Sequence, residues 1–355
     1  MKEMVTGAGM PKVYIIIINW NGLDDTLECL ESVYQLEYFN FEVIVVDNCS
    51  SDDSVVTIPI KFPRVTLIRN SKNLGFTGGN NVAMRHAVAQ GADYVWLLNN
   101  DTVVRPDSLS KLVEGAEQSP DIGLASPLIY HYDTPDKIQF MGARADFAHF
   151  SVTAIDDPHE LDRQQVQRTL TLWGTALLIK RSVIETIGYL SDKYFAYVED
   201  RDYSLRALRA DYRNIVRPDA HIFHKGSKST GHHSPIQVFL GTRNLYFVWR
   251  DNTLGYRRVF VPGYYIGMVI NYASCLAEER NKAGFDACLN GCWAAFRGKG
   301  GGYDPTIVMP WWLKKIFIFS VACYPHFWVR MLRLDLTGII RTALAKVQLK
   351  FPLVP

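Results

Sequence analysis

The chain has 355 residues, 48% hydrophobic and 21% charged, with a formal net charge of +2. That composition excludes a disordered or fibrous chain and leaves room for one large α/β domain with an appendage. Residues 241–355 hold fifteen Lys/Arg against six Asp/Glu, so the C-terminal part is expected to meet something anionic, either a membrane surface or a nucleic acid.

Residues 1–12 are Gly-rich and weakly charged and read as a flexible arm. The apolar stretch Val13–Ile18 behind them is too short for a signal peptide. It is β-branched and runs into Asn19; a turn at Asn21-Gly22 follows, and Leu23, Leu27, Leu30, Val33 and Tyr34 recur at helical spacing up to Leu36. The alternation repeats. Phe41–Val46 ends in Asp47-Asn48, Val65–Ile68 ends near Asn70, Gly79–Ala89 is helical, and Tyr94–Leu98 ends in Asn99-Asn100-Asp101. Continuous apolar strands between helices predict a mainly parallel sheet covered on both faces, with right-handed crossovers and a ligand crevice at the carboxyl ends of its strands. After Asp107 the pattern loosens. Ile122–Tyr130 and Thr169–Ile179 read as strands, and the polar stretch from Thr134 to Gln167 as a flap or small subsheet. Glu199–Arg209 reads as a helix, Asn214–Arg217 and Ala220–Phe223 as strands, and Pro235–Trp249 opens a helical C-terminal region.

The six cysteines form no CxxC pair, which fits a reducing, cytoplasmic setting. Cys288 and Cys292, one helical turn apart, read as packed thiols. At the strand ends, Asn19, Asp47, Asn99 and Asn100 can orient a base or ribose, although any one of them alone is an ordinary turn residue. The first turn, Asn19–Asp25, lacks a Gly-rich fingerprint, which disfavours a dinucleotide cofactor. Asn73-Leu74-Gly75-Phe76-Thr77-Gly78-Gly79-Asn80-Asn81 puts glycines where backbone can approach a ligand at a helix start. Asp101 is the leading ligand for a hard divalent ion, Mg²⁺ or Mn²⁺, with substrate phosphates completing the shell and His224 able to add a nitrogen. His221, His232 and His233 read as structural. In Glu199-Asp200-Arg201-Asp202, N-capping accounts for one carboxylate and not three; Asp200 is the candidate general base, with Glu199 and Asp202 supporting it or contacting an acceptor.

Taken together, Ile18–Asn21, Val46–Ser50, Asn73–Asn81, Leu98–Thr102, Glu199–Asp202 and His224 resemble the motifs of glycosyltransferase family 2, especially its bacterial rhamnosyltransferase-like members, over roughly Val13–Asn252. The resemblance implies a GT-A fold, an inverting mechanism, a dTDP- or UDP-sugar donor, a divalent metal, and a glycan or lipid-linked acceptor in cell-surface polysaccharide synthesis. Carried across, Asp47 and Asn80 look like nucleoside contacts, Asp101 and His224 like metal or diphosphate ligands, Asp200 like the base, and Trp173-Gly174-Thr175 like the acceptor side. Asn99 stands where the family's metal motif often has an acid, a departure that rhamnosyltransferase-like relatives share.

The resulting partition is a catalytic part over 13–252, with its nucleotide-sugar half at 13–130 and acceptor half at 131–252, and a basic, aromatic helical region over 253–355. Val259–Ala277 is uncharged but interrupted by Pro262, Gly263, Gly267, Asn271 and Ser274, which argues against spanning a membrane. Trp311, Trp312 and Trp328 beside Lys314, Lys315, Arg330 and Arg333 suit helices in the headgroup layer at the inner face of the cell membrane. A helical subdomain packed on the catalytic part or on a second copy fits them equally. A nucleic-acid partner is not expected. Two other classes stay open: a metal-dependent nucleotidyltransferase, disfavoured by the acidic first turn, and a non-catalytic nucleic-acid or glycan-binding protein.

Overall fold

The computed structural model describes residues 9–226 and 234–323; His232, His233, Trp328, Arg330 and Arg333 lie outside them. The catalytic part runs β1 (Val13–Asn19), α1 (Leu23–Val33), β2 (Phe41–Asp47), α2 (Ser54–Lys61), β3 (Thr66–Arg69), α3 (Gly75–Ala89), β4 (Tyr94–Asn99), β5 (Thr102–Val104), α4 (Ser108–Glu117) and β6 (Ile122–His131). It continues with β7 (Ile138–Phe140), β8 (Ala143–Asp146), β9 (Ser151–Ala154), α5 (Gln164–Gln167), β10 (Leu170–Thr171), β11 (Ala176–Lys180), α6 (Arg181–Ile187), α7 (Glu199–Arg209) and β12 (Arg213–His224). Then come α8 (Pro235–Asn252), a 3₁₀ turn (Gly255–Phe260), α9 (Val261–Glu278), α10 (Lys282–Phe296) and α11 (Trp311–Cys323).

One sheet has the order β3-β2-β1-β4-β11-β6-β12-β5, with β7 alongside β6. β1 shows why its strands read as unbroken apolar runs. Val13, Ile15 and Ile17 face the layer formed by α1 and α4, while Tyr14 and Ile16 face α3. The β3-β2-β1-β4 half is parallel throughout, and β6 pairs with β12 in parallel. β11, however, runs antiparallel to both β4 and β6, and β5 and β7 are antiparallel too. The sheet is therefore mixed beyond β4. A strand covered on both faces has the same composition whichever way it runs, so direction was not legible.

Three boundaries move in ways that matter for the site. The expected strand Thr169–Ile179 breaks into β10 and β11 around Trp173-Gly174, which frees that dipeptide for the crevice. α3 starts at Gly75 rather than Gly79. The two short strands expected after Asn214 are one strand, β12, with register shifts around Pro218. The stretch from Thr134 to Gln167 supplies β7 to the main sheet, and β8 and β9 to a three-stranded subsheet with β10.

A third apolar core lies among α7, α8, α9 and α10. It is rich in aromatic side chains and includes Tyr194, Phe239, Phe247, Trp249 and Tyr265. Cys288 and Cys292 are buried there, and burial pushes both thiols up to about 12, as expected of packed thiols.

Candidate functional site

The polar strand ends meet at one edge of the parallel half, where many of them hold that edge together. Buried Asn19 donates to Asp47 Oδ1 (3.1 Å) and Ser50 Oγ (3.1 Å) and accepts from Thr26 Oγ1 (2.9 Å). Asp47 Oδ2 accepts from the Ser50 N–H (3.1 Å), and Asn100 donates to Thr26 Oγ1 (3.0 Å). Asn73 accepts from the Gly75 N–H (2.7 Å), an Asx turn that opens α3. Asn80, buried within α3, donates to the Phe76 carbonyl (2.9 Å).

Gly75 needs its residue type. Its φ is +71°, and a Cβ there would collide with the Phe195 carbonyl oxygen, which accepts from the Thr77 N–H at 3.2 Å. A Cβ at Gly79 would press on the Asn48 amide at 3.0 Å, and that amide donates to the Gly75 carbonyl. The first turn of α3 is thus seated directly on the segment ahead of α7.

β12 brings His224 beside Asp101. Its Nε2 lies 3.2 Å from Asp101 Oδ1 and 3.5 Å from Asn99 Nδ2, while its Nδ1 lies 2.7 Å from Gln139 Oε1 on β7. That oxygen only accepts, so Nδ1 donates to it, and Nε2 faces Asp101 either as a second donor or, in the neutral ring, as a lone pair. Two facing acceptors at this distance repel unless a proton or cation accompanies them, and a ring oriented through its other nitrogen is what a metal-ligating histidine shows. Among the described residues no third His, Cys, Asp or Glu completes a metal cluster. An ion held by this pair would have to draw its remaining ligands from substrate oxygens. Lys225 follows, its N–H donating to the Asp101 carbonyl (3.0 Å) and its Nζ to Asp25 and Glu28 of α1.

The other half of the site is Glu199-Asp200. Tyr197 and Val198 just before it have φ of +70° and +73°, a left-handed conformation costly for side chains with a Cβ. Asn244 of α8 holds this turn by donating to the Ala196 (2.9 Å) and Tyr197 (2.7 Å) carbonyls. Arg243 Nε donates to Asn244 Oδ1 (3.0 Å), and its guanidinium also donates to the Gly301 (2.6 Å) and Gly302 (3.3 Å) carbonyls. Asp200 Oδ2 accepts from the Gly174 N–H (2.9 Å) and Oδ1 from the Arg201 N–H (2.6 Å). Burial raises the Asp200 carboxyl above its ordinary range despite these donors. Burial, and next the charge of Asp200, raise Glu199 much further, and its Oε2 has no hydrogen-bond partner among the described residues. Of the two carboxyls, Glu199 is the one held more strongly in its protonated form.

The halves adjoin. Asn99 N–H donates to the Thr175 carbonyl (2.9 Å), next to Gly174. A Cβ on Gly174 would lie 3.0 Å from Phe76 Cζ and 3.5 Å from Asp200 Cβ. Phe140, following Gln139, stacks on Trp173 with ring centroids 4.0 Å apart, and Trp173 remains 37% exposed as an aromatic platform. Asp202 stands apart from these groups: its oxygens are taken by Arg206 (2.8 Å) and Asn252 (2.9 Å), which assigns it to the joint between α7 and α8. His221, bonded to the Pro218 carbonyl, is structural as expected. Gln139, Lys225, Arg243 and Asn244 were missed from sequence. Arg243-Asn244 did carry a signal, two polar residues inside the apolar helix run Phe239–Trp249.

The family model described as glycosyl transferase family 2 matches residues 14–188. An uncharacterised glycosyltransferase of Haemophilus influenzae is 31% identical over 196 residues, covering 55% of this chain and 61% of that protein; the chain thus spans about three fifths of that relative. The N-acetylglucosaminyl-diphospho-decaprenol L-rhamnosyltransferase of Mycobacterium tuberculosis is 26% identical over 57% of this chain and 75% of its own length. Among solved structures, the mannosyltransferase of Pyrobaculum calidifontis in complex with GDP-Man and Mn²⁺ covers 96% of this chain and 88% of its own, with a TM-score of 0.52 at 18% identity. That likeness shows the fold, GT-A.

Proposed function

The chain belongs to glycosyl transferase family 2 through residues 14–188, and from that premise we propose that it moves a sugar, with inversion, from a nucleoside diphosphate to a hydroxyl of a glycan or lipid-linked acceptor in cell-surface polysaccharide synthesis. The observation that carries this reading is Asp200, a carboxyl of raised basicity fixed by Gly174 and Arg201, adjoining the Asp101–His224 pair through Asn99 and Thr175. L-Rhamnose is the first donor sugar to test, because the mycobacterial relative is named as a rhamnosyltransferase.

In this reading the donor lies along the strand ends beside Asp47, Asn99 and the first turn of α3. The acceptor sugar stacks on Trp173, and its hydroxyl faces Asp200. Asp200 takes the hydroxyl proton as the oxygen attacks the anomeric carbon, and the carbon–oxygen bond to the diphosphate breaks on the opposite face. A positioned base of this kind contributes about 10²–10⁴ in rate. Burial and the charge of Asp200 favour the neutral form of Glu199, which keeps a second negative charge away from the incoming acceptor oxygen. A Mg²⁺ or Mn²⁺ ion held by Asp101 and His224 would neutralise charge on the leaving diphosphate, in line with the Mn²⁺ of the mannosyltransferase that shares the fold.

We place the enzyme at the inner face of the cell membrane. Leu254–Phe260 is exposed at every residue and interleaves Tyr256, Val259 and Phe260 with Arg257 and Arg258. Trp311 and Trp312 are exposed near Lys314 and Lys315. Aromatic bodies beside basic groups suit anionic headgroups. The catalytic partition at 13–252 is proposed likewise, with α8 forming the seam because its apolar side chains belong to the helical core. The test is thermal stabilisation by UDP-, GDP- and dTDP-sugars with Mn²⁺ or Mg²⁺. A dTDP- or UDP-sugar is expected to raise the midpoint in a metal-dependent way; no response to any nucleotide sugar would overturn the proposal.

A further inference from the structure

Between α8 and α9 lies a groove of about 420 Å³ whose lining includes Tyr197, Gly241, Thr242, Leu245, Tyr265 and Met268 and, among the described residues, contains no charged one. Thr242 and Tyr265 are buried, and the Tyr265 hydroxyl is turned inward onto the Thr242 carbonyl (3.0 Å), which leaves an apolar trough. Gly241 sits at the centre of helix α8, where glycine is destabilising relative to alanine. Nothing in its surroundings requires it. Its φ lies outside the left-handed region, and a Cβ added there would meet no atom of the described residues within 4 Å. The missing side chain keeps the trough open.

The position of the groove says what it holds. Tyr197 lines the groove and forms part of the left-handed turn that presents Asp200, three residues on in the chain, so one end of the groove is walled by that turn. The far wall is α9, part of the segment Gly255–Glu278 that is long and apolar enough to cross a membrane and has only 33% of its most apolar window buried. The exposed aromatic and arginine residues of Leu254–Phe260 precede that helix directly. An uncharged, mostly apolar trough offers no cation to a diphosphate and presents the surface that hydrocarbon fits.

We propose that this groove receives the hydrocarbon chain of a lipid-linked acceptor, seating the part of the chain nearest the diphosphate so that the acceptor sugar reaches Asp200. The proposal rests on the glycosyltransferase reading above. It makes chain length a determinant of acceptor KM and independent of donor KM, because each methylene moved out of water gains about fourfold in affinity.

The test uses the full chain in mixed micelles at fixed detergent, with two acceptors bearing the same sugar diphosphate, one on a farnesyl-length chain and one on a short alkyl chain. The wild-type protein is expected to show a KM at least tenfold lower for the long chain. Gly241→Phe is expected to abolish that preference while leaving the donor KM and the short-chain KM within twofold, and Gly241→Ala to retain most of it. Because Gly241→Phe could fail to fold, a photoreactive farnesyl diphosphate is cross-linked to the wild-type protein; label on α8 or α9 supports the groove, and label confined elsewhere overturns it. Equal KM values for both chains in wild type overturn it too. So does a wild-type dimer that Gly241→Phe turns into a monomer with the preference intact, since the occupant is then a second copy. Transfer to neither acceptor would instead be a failure of the glycosyltransferase reading.

Discussion

Asn244 is far from Asp200 in sequence yet holds the turn that presents it, and Asn244→Ala tests whether that hold matters for turnover. The substitution removes two hydrogen bonds to the Ala196 and Tyr197 carbonyls and the acceptor for Arg243 Nε. At about 1 kcal/mol net for each carbonyl bond, the turn loses about 2 kcal/mol of support. Tyr197 and Val198 each cost about 1–2 kcal/mol by being left-handed, so the loss is comparable with the strain it balances. If the presented turn becomes the minor state by that amount, kcat falls about thirtyfold while the donor KM stays within twofold, because the strand ends are untouched. Val198→Gly supplies the control. Glycine adopts positive φ without the Cβ penalty, so the double variant Asn244→Ala/Val198→Gly should recover about tenfold in kcat. Steady-state kinetics on purified protein, with hydrogen exchange at the Glu199 and Asp200 amides, reads both effects. A kcat for Asn244→Ala within twofold of wild type, or no recovery in the double variant, would refute the reasoning.

Three further outcomes are expected. Gly75→Ala puts a Cβ into the Phe195 carbonyl at a left-handed position; chemical denaturation should show a loss of about 2–4 kcal/mol, and a loss below 0.5 kcal/mol would contradict the close approach. Glu199 binds a proton more tightly folded than unfolded, so its contribution makes stability decline as pH rises from the ordinary glutamate value of about 4.3 up to its raised folded value. Glu199→Gln keeps the shape without the titration and should flatten that part of a stability–pH curve; an unchanged slope would place the proton elsewhere. Asp101→Asn should abolish the metal-dependent part of nucleotide-sugar stabilisation and His224→Ala should weaken it at least tenfold, both by calorimetry with Mn²⁺. Wild-type Mn²⁺ affinity in both variants would remove the pair from the metal site.

The sequence carried the parallel half well because β1 and β4 are apolar up to a terminal Asn, and β2 from Val43 up to a terminal Asp. It also pointed to Asp101, His224 and Asp200, each a polar group at the end of an apolar run or the start of a helix, and the structure sets His224 beside Asp101. It was silent on the direction of β11, since burial on two faces fixes composition and not polarity. It overextended the strand at Thr169–Ile179 because Leu172-Trp173 continues the apolar run, and only the bond from Gly174 to Asp200 shows why the chain leaves the sheet there. Gln139 and Asn244 are plain amides whose partners lie 85 and 47–48 residues away; no local pattern announces such a bond. Asp202 was grouped with its neighbours by sequence, but helical periodicity turns it towards Arg206, one turn on.

Asp200 as the proton acceptor is the claim on which the rest depends, and Asp200→Asn tests it with the least change in shape. With a donor that stabilises the wild-type protein, transfer to the acceptor should fall at least 10²-fold in the variant while the donor dissociation constant stays within twofold, and the wild-type product should carry the anomeric configuration opposite to that of the donor by NMR. Wild-type turnover in Asp200→Asn, or a product of retained configuration, would contradict the account.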